Sequence, residues 1–344
     1  MKKIFIITFL AAFVCAGFPS AAKDVVKVVS PDGSGDYSTV QAAFDDVPEA
    51  FDGGHWVIKV KAGRYYEKIN LRKGKDHVVL IGEDPLTTVL WYDDYAGSGT
   101  RAQKPSTIIE ADDFTAVDIT FLNPFQNIRE IPGENKHTQA QAIMFTGDRL
   151  AFYNCRFIGN QDTLYGRGFG RAYFRKCYVE GNVDYIYGSS VMVFDECEIF
   201  SNQHDSYITA ASTHPEYKFG ITFLDCELSA KIQGQLDHDG VTFENFYLGR
   251  PWHYTPKVAF IRCYEPVSVY PAGWTFMNDD AKPDFMEYKC WGPGATPDRT
   301  AVREQGGRQL SDREAAVYTV KNIFSKETGP NYTQDWFPPK KFKF

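Results

Sequence analysis

Phe152-Tyr153-Asn154-Cys155-Arg156-Phe157-Ile158-Gly159-Asn160-Gln161-Asp162-Thr163-Leu164-Tyr165-Gly166 is followed, 22 residues on, by Phe174-Arg175-Lys176-Cys177-Tyr178-Val179-Glu180-Gly181-Asn182-Val183-Asp184-Tyr185-Ile186-Tyr187-Gly188. The Phe-x-x-Cys opening recurs at Phe194-x-x-Cys197, Phe223-x-x-Cys226 and Phe260-x-x-Cys263, and the first three copies lie 22 and 20 residues apart. A period near 20 means one structural unit per repeat, and five copies mean a stacked array. Each unit alternates in the manner of a strand and leaves no room for a helix. Leucine-rich repeats share the period but need framework leucines and a helical turn in each unit, whereas these units carry aromatic, Cys and Val/Ile residues. The pattern predicts an all-β chain, a single-stranded parallel β-helix whose interior Phe and Cys form ladders from coil to coil. Cysteine then acts as a small buried hydrophobe. A disulfide between neighbouring coils is the alternative, although side chains stacked ~4.8 Å apart must distort to reach good geometry.

An open solenoid needs covered ends. Ser38 is read as the N-cap of a helix carrying Val40, Phe44 and Val47 and ended by Pro48. Near the other end, Ser311-x-x-Glu314 is a capping box opening a helix through Ala315, Val317, Tyr318 and Ile323. The expected organisation is one domain over 24–330, followed by a Pro/Lys/aromatic tail over 331–344.

Before the domain, Lys2-Lys3, an apolar run from Ile4 to Val14 and Ser20-Ala21-Ala22 read as a signal peptide over 1–22. The run is shorter than the ~20 residues a membrane span needs, and Phe13-Val14 before Cys15 argues against a lipoprotein. The implied location is exported, periplasmic or extracellular, with no membrane contact after cleavage. Losing Lys2 and Lys3 would take the formal net charge of the 344-residue chain from −7 to −9. So acidic a protein repels phosphate backbones, and nucleic acid is not an expected partner.

The two quoted stretches share Gly-Asn-x-Asp-x-x-Tyr-Gly. Asp162 follows Cys155, and Asp184 follows Cys177, by seven residues. If the cysteines stack, so do the carboxylates, roughly 5 Å apart. Like charges at that separation disfavour double ionisation, so the pair holds one proton to higher pH and offers an acid and a base in one place. A repeated turn kept for folding alone is the plainer reading. Against it stand Gln161 beside Asp162, His204 at the seven-residue offset from Cys197, and Tyr165, Tyr187 and Tyr207 at the ten-residue offset. Stacked tyrosines beside stacked carboxylates suit a sugar-binding cleft.

Gln139-Ala140-Gln141-Ala142, the two Gly-Asn-x-Asp stretches and Leu248-Gly249-Arg250-Pro251-Trp252 resemble, in order, the motifs of pectin methylesterases (pectinesterases). Asp32-Gly33-Ser34-Gly35-Asp36, Gly63-Arg64-Tyr65-Tyr66-Glu67 and Gly292-Pro293-Gly294-Ala295 agree. The resemblance spans 28–325 and implies a right-handed β-helix that removes methyl esters from galacturonate units of pectin, releasing methanol. It implies Asp184 as nucleophile, Asp162 as acid and base, Gln139 and Gln161 as donors to the oxyanion, and Arg250 as the partner of Asp184. Trp252, Tyr165 and Tyr187 would meet the sugar, with Val183 and Thr255 nearby. No cofactor and no metal are implied. The chain is expected to act as a monomer on methylated pectin and to be of the bacterial type without a pro-domain. Three positions depart from the family: Tyr185 and Tyr187 replace a usual Phe pair, and Gln141 stands where an aliphatic residue is common.

Other chemistries lack their motifs. Gly-x-Ser-x-Gly, Cys-x-x-Cys, His-Glu-x-x-His and a P-loop do not occur. Asp237-His238-Asp239 is read as a solvated turn rather than a metal loop. The competing readings are a β-helix glycosidase or lyase on polygalacturonate and a non-catalytic carbohydrate-binding solenoid. The two glutamines disfavour the first, because an oxocarbenium-like transition state gains little from oxyanion donors. The dyad disfavours the second.

Overall fold

The computed structural model describes residues 23–51, 54–98, 105–126 and 137–339. The expected signal peptide over 1–22 lies outside them. Three parallel sheets of eleven, seven and seven strands run along the molecule, each built from successive coils. Leu150–Tyr153, Arg171–Arg175, Val191–Asp195, Ile221–Leu224 and Lys257–Ile261 are consecutive in the first sheet. Arg156–Ile158, Tyr178–Gly181 and Glu198–Ser201 lie in the second; Leu164–Gly166, Ile186–Gly188, Ser206–Ala211 and Phe246–Pro251 lie in the third. The fold is the right-handed parallel β-helix.

Phe152 and Cys155 are three residues apart and would face opposite ways along one straight strand. Both point inward because Asn154 turns the chain between them at φ 50°, as Lys176, Glu196, Asp225 and Arg262 do at 53°, 52°, 53° and 58°. The rings of Phe152, Phe174, Phe194, Phe223 and Phe260 then stack with successive centroids 4.9, 4.4, 5.0 and 4.4 Å apart. Each thiol donates to the carbonyl of the Phe one coil back: Cys177 to Phe152, Cys197 to Phe174 and Cys226 to Phe194, each at 3.4 Å. All six described cysteines are free, so the ladder packs rather than pairs. Cys290 adds a further rung, with its Sγ 3.3 Å from the Phe260 carbonyl.

The ends differ in detail from expectation. Thr39, not Ser38, caps the first helix, Val40–Asp46, because its hydroxyl accepts from the Ala42 N–H at 3.2 Å. The Ser311–Glu314 capping box forms, but its helix stops after Asp312–Ala315, and a second short helix, Val320–Ile323, starts from Thr319. The first part of the expected tail, as far as Pro339, packs against the domain. Tyr332 and Trp336 join an apolar cluster on the outer face of the first sheet with Tyr153, Tyr173 and Phe324. The fully buried Arg171 donates to the carbonyls of Phe324 and Gln334 at 2.9 and 2.8 Å and to Asp148 at 2.6 Å.

Candidate active site

In two adjacent coils the second and third sheets are joined by the Gly-Asn-x-Asp turn. Its glycine is needed for close approach: a methyl group at Gly181 would sit 2.3 Å from the Tyr185 Cβ. Asp162 and Asp184 occupy the same left-handed backbone position, φ 66° and 53°, which aspartate tolerates better than most residues. The turns are in register, since the Asp162 N–H donates to the Val183 carbonyl at 2.9 Å and Leu164 pairs with Ile186. The two carboxylates therefore stack one coil apart and are 9% and 7% exposed.

Their surroundings differ. Arg250 grips Asp184 through two parallel hydrogen bonds, Nε to Oδ1 and Nη2 to Oδ2, both 2.7 Å. Such a fork is among the strongest pairings a carboxylate can make. Burial still raises the Asp184 pKa, with Arg250 opposing it. Asp162 has no guanidinium of its own. Burial, then the charge of Asp184, pushes its pKa up to about 8, against hydrogen bonds from Tyr187 and Gln141. Burial thus holds Asp162 toward its protonated form, while the Arg250 fork favours the ionised form of Asp184.

Around the dyad, the Gln161 side-chain carbonyl accepts from the Thr138 hydroxyl at 2.7 Å, which turns its amide N–H groups the other way. Gln139 is half-buried in the preceding coil, its backbone carbonyl held by the Ala96 N–H at 2.8 Å. Tyr165 and Tyr187 pair in register and stack with centroids 4.2 Å apart. Trp252 stands edge-on to both, at 6.4 and 5.7 Å. Tyr187 is only 5% exposed, its ring covered by these two, so its face is not offered to a sugar; Tyr165 and Trp252 are the half-exposed rings. Val183 is half-buried beside the dyad, and the Thr255 hydroxyl is tied to the Thr213 carbonyl at 3.1 Å.

The third coil breaks the predicted offsets. Asp205, at φ 55°, takes the left-handed position expected for His204, and the His204 Nδ1 accepts instead from the N–H groups of Glu244 and Asn245. A longer turn then shifts the register, so that Tyr187 faces Ala210 and Tyr207 pairs with Tyr247. Tyr207 serves the site differently: the Arg250 guanidinium lies 4.1 Å from its ring centroid. Asp237 is buried rather than solvated, and its carboxylate caps the N–H groups of His204, Asp239 and Val241.

A profile of the pectinesterase family matches residues 26–327, which include every residue of this site. The chain belongs to the pectinesterase family. It is similar to pectinesterase 31 of Arabidopsis thaliana, 35% identical over 87% of this chain and 92% of the relative. Among solved structures, a pectin methylesterase from carrot superposes with a TM-score of 0.75 at 27% identity, covering 86% of this chain and 92% of its own. A pectin methylesterase in complex with a hexasaccharide superposes at 0.71 and 26% identity, covering 90% and 98%. The curated relative is a plant protein, so the bacterial type expected from the sequence finds no support there. Sequence reasoning missed Thr138, for which no pattern existed. It also missed the role of Gln141, whose departure from the family pattern was the available signal.

Proposed function

We propose that this pectinesterase-family chain hydrolyses galacturonate methyl esters in pectin to free carboxylates and methanol, with Asp184 as nucleophile and Asp162 as acid and base. The observation that carries the reading is the asymmetry of two stacked, buried carboxyls: one forked by Arg250, the other with no guanidinium fork and held toward its protonated form by burial. An Asp184 oxygen attacks the ester carbonyl carbon, and the negative charge moves to the carbonyl oxygen. The turned amide of Gln161, with Gln139, is suited to hold that oxyanion. As the carbonyl re-forms, the bond to the methoxy oxygen breaks, and methanol leaves with the Asp162 proton. Asp162, now ionised, takes a proton from the water that opens the acyl-enzyme, which restores Asp184 and the proton on Asp162. Trp252 and Tyr165 would carry the sugar by stacking, a reading supported by the hexasaccharide complex of one similar pectin methylesterase.

Action on wall pectin fits an exported protein, a reading that rests for residues 1–22 on their sequence alone; the catalytic unit over 24–330 acts as a monomer in this proposal. The test is incubation of the purified protein with highly methylated pectin. Methanol release with unchanged polymer length is expected. Chain shortening without methanol would instead indicate the glycosidase or lyase.

A further inference from the structure

Two of the departures from the family pattern, Gln141 and Tyr187, meet in space. The Gln141 Nε2 donates to the Tyr187 hydroxyl at 2.8 Å, and both side chains are buried. The Gln141 backbone is fixed where its carbonyl accepts from the Ser106 N–H at 2.9 Å and the Asn123 amide at 3.2 Å, and the Tyr187 ring is pinned by Tyr165 and Trp252. A buried hydroxyl that accepts one hydrogen bond has its single proton left to give. The carboxyl beside Gln141 and Tyr187 is Asp162, one coil below Tyr187.

We propose that Tyr187 and Gln141 are positioning residues that hold the Asp162 carboxyl and set the pH at which it gives up its proton. The consequence for turnover rests on the esterase reading above. The Tyr187 O–H stabilises the ionised Asp162 that must take a proton from water in the second half of the cycle, and Gln141 keeps that hydroxyl aimed. Asp184 and Arg250 are the charged groups that also face Asp162, while Tyr165, itself influenced by Arg167, lies against Tyr187. These remain in every variant below. Burial and Asp184 raise the Asp162 pKa, and the two hydrogen bonds moderate that rise. A phenylalanine at 187 would leave the proton held to higher pH.

The experiment measures kcat/KM for methanol release against pH for the wild type, Tyr187→Phe, Gln141→Leu and the double variant. The alkaline limb moves up by on the order of one pH unit in Tyr187→Phe, less in Gln141→Leu, and furthest in the double variant, because each side chain bonds Asp162 as well as the other. A limb that stays put while rates fall evenly would mean plain packing and overturns the proposal, as would a downward move. Should Tyr187→Phe not fold, Gln141→Leu decides by the same criterion. Infrared titration of the protonated carboxyl band, assigned by its loss in Asp162→Asn, follows the same shift without turnover. If the wild type releases no methanol, the esterase reading falls, and this band still decides whether Tyr187 and Gln141 govern Asp162.

Discussion

Two places in the molecule bury two carboxyls around one arginine. In the candidate active site they are Asp162, Asp184 and Arg250. In the core of the last coils they are Glu265, Glu287 and Arg303, whose side chains are wholly inaccessible. The charge arithmetic is the same, since each set is neutral only with one carboxyl protonated, and burial lifts Asp162 and Asp184 in the first set and Glu265 in the second. The arginines differ. Arg303 bonds both acids, Glu287 through Nε and Nη2 at 2.9 Å and Glu265 through Nη2 at 2.7 Å, and spends Nη1 on the carbonyls of Tyr270 and Pro271. Arg250 forks Asp184 alone, which leaves Asp162 to hold its proton beside Tyr187 and Gln141. A buried dyad with an arginine is therefore no signature of catalysis by itself. Function requires that the proton lie within reach of a substrate and that one acid be free of the cation.

The same edit made in both places breaks or sharpens this comparison most. Asp184→Asn is expected to lower methanol release by at least ~10³-fold, about 4 kcal/mol of barrier, while Glu287→Gln leaves the rate per folded molecule within about twofold. Comparable losses of rate in the two variants would erase the distinction. Removing the cation reverses the pattern. Arg303→Met strands buried acids and should cost ~3–5 kcal/mol of stability, read as a fall in the urea midpoint. Arg250→Met should cost less stability, because the Arg250 side chain is 21% exposed, and should abolish most of the activity.

A third prediction uses the stored proton. The folded-state pKa of Asp162, about 8, stands above its unfolded value near 3.8, so the folded protein binds the extra proton between those limits. Stability contributed by this group is therefore lost as pH rises from about 4 to about 8, and the full penalty remains above that. Asp162→Asn removes the titration. Thermal melts should show the variant gaining on the wild type with rising pH, by on the order of a few kcal/mol at pH 9, with no gain at pH 4. A constant offset across that range would mean that Asp162 is not the group holding the proton.

Much of this was legible in the sequence because a solenoid writes its contacts into a period. The Phe and Cys ladders, the stacked aspartates and their turns all followed from offsets of 22 and 20 residues. What failed was local. The third coil carries a longer turn, and a fixed offset cannot see an inserted residue, so His204 and Tyr207 were put in the wrong stack. Glu287 was missed for the converse reason. It stands opposite Phe260, in the position of the next Phe, and Glu287-x-x-Cys290 is the repeat again with a carboxylate in place of the ring. Its partners Glu265 and Arg303 follow no period, because they come from connections rather than strands. Tyr187 was assigned to the sugar because an aromatic residue beside a carboxylate suggests stacking; only packing reveals that Tyr165 covers it.

The smallest expected effect tests the ladder that runs between the two sets. Cys226 is buried, its Sγ donates to the Phe194 carbonyl at 3.4 Å, and it accepts from the Cys197 N–H at 3.4 Å. Cys226→Ala removes one sulfur from a close-packed interior, so the cost is a cavity the size of that atom plus a weak hydrogen bond, about 1 kcal/mol. Neither proton store touches it. The urea midpoint should fall slightly, while the pH profile of methanol release and its maximum stay where they were. Thiol titration in denaturant supplies the control: the described region should yield six reactive thiols, one for each free cysteine. A pair lost to a disulfide would mean that the coils are joined by covalent bonds where packing was expected. A shifted pH profile in Cys226→Ala would mean that the ladder transmits strain to the dyad, and that the two carboxylate sets are less independent than their separate arginines imply.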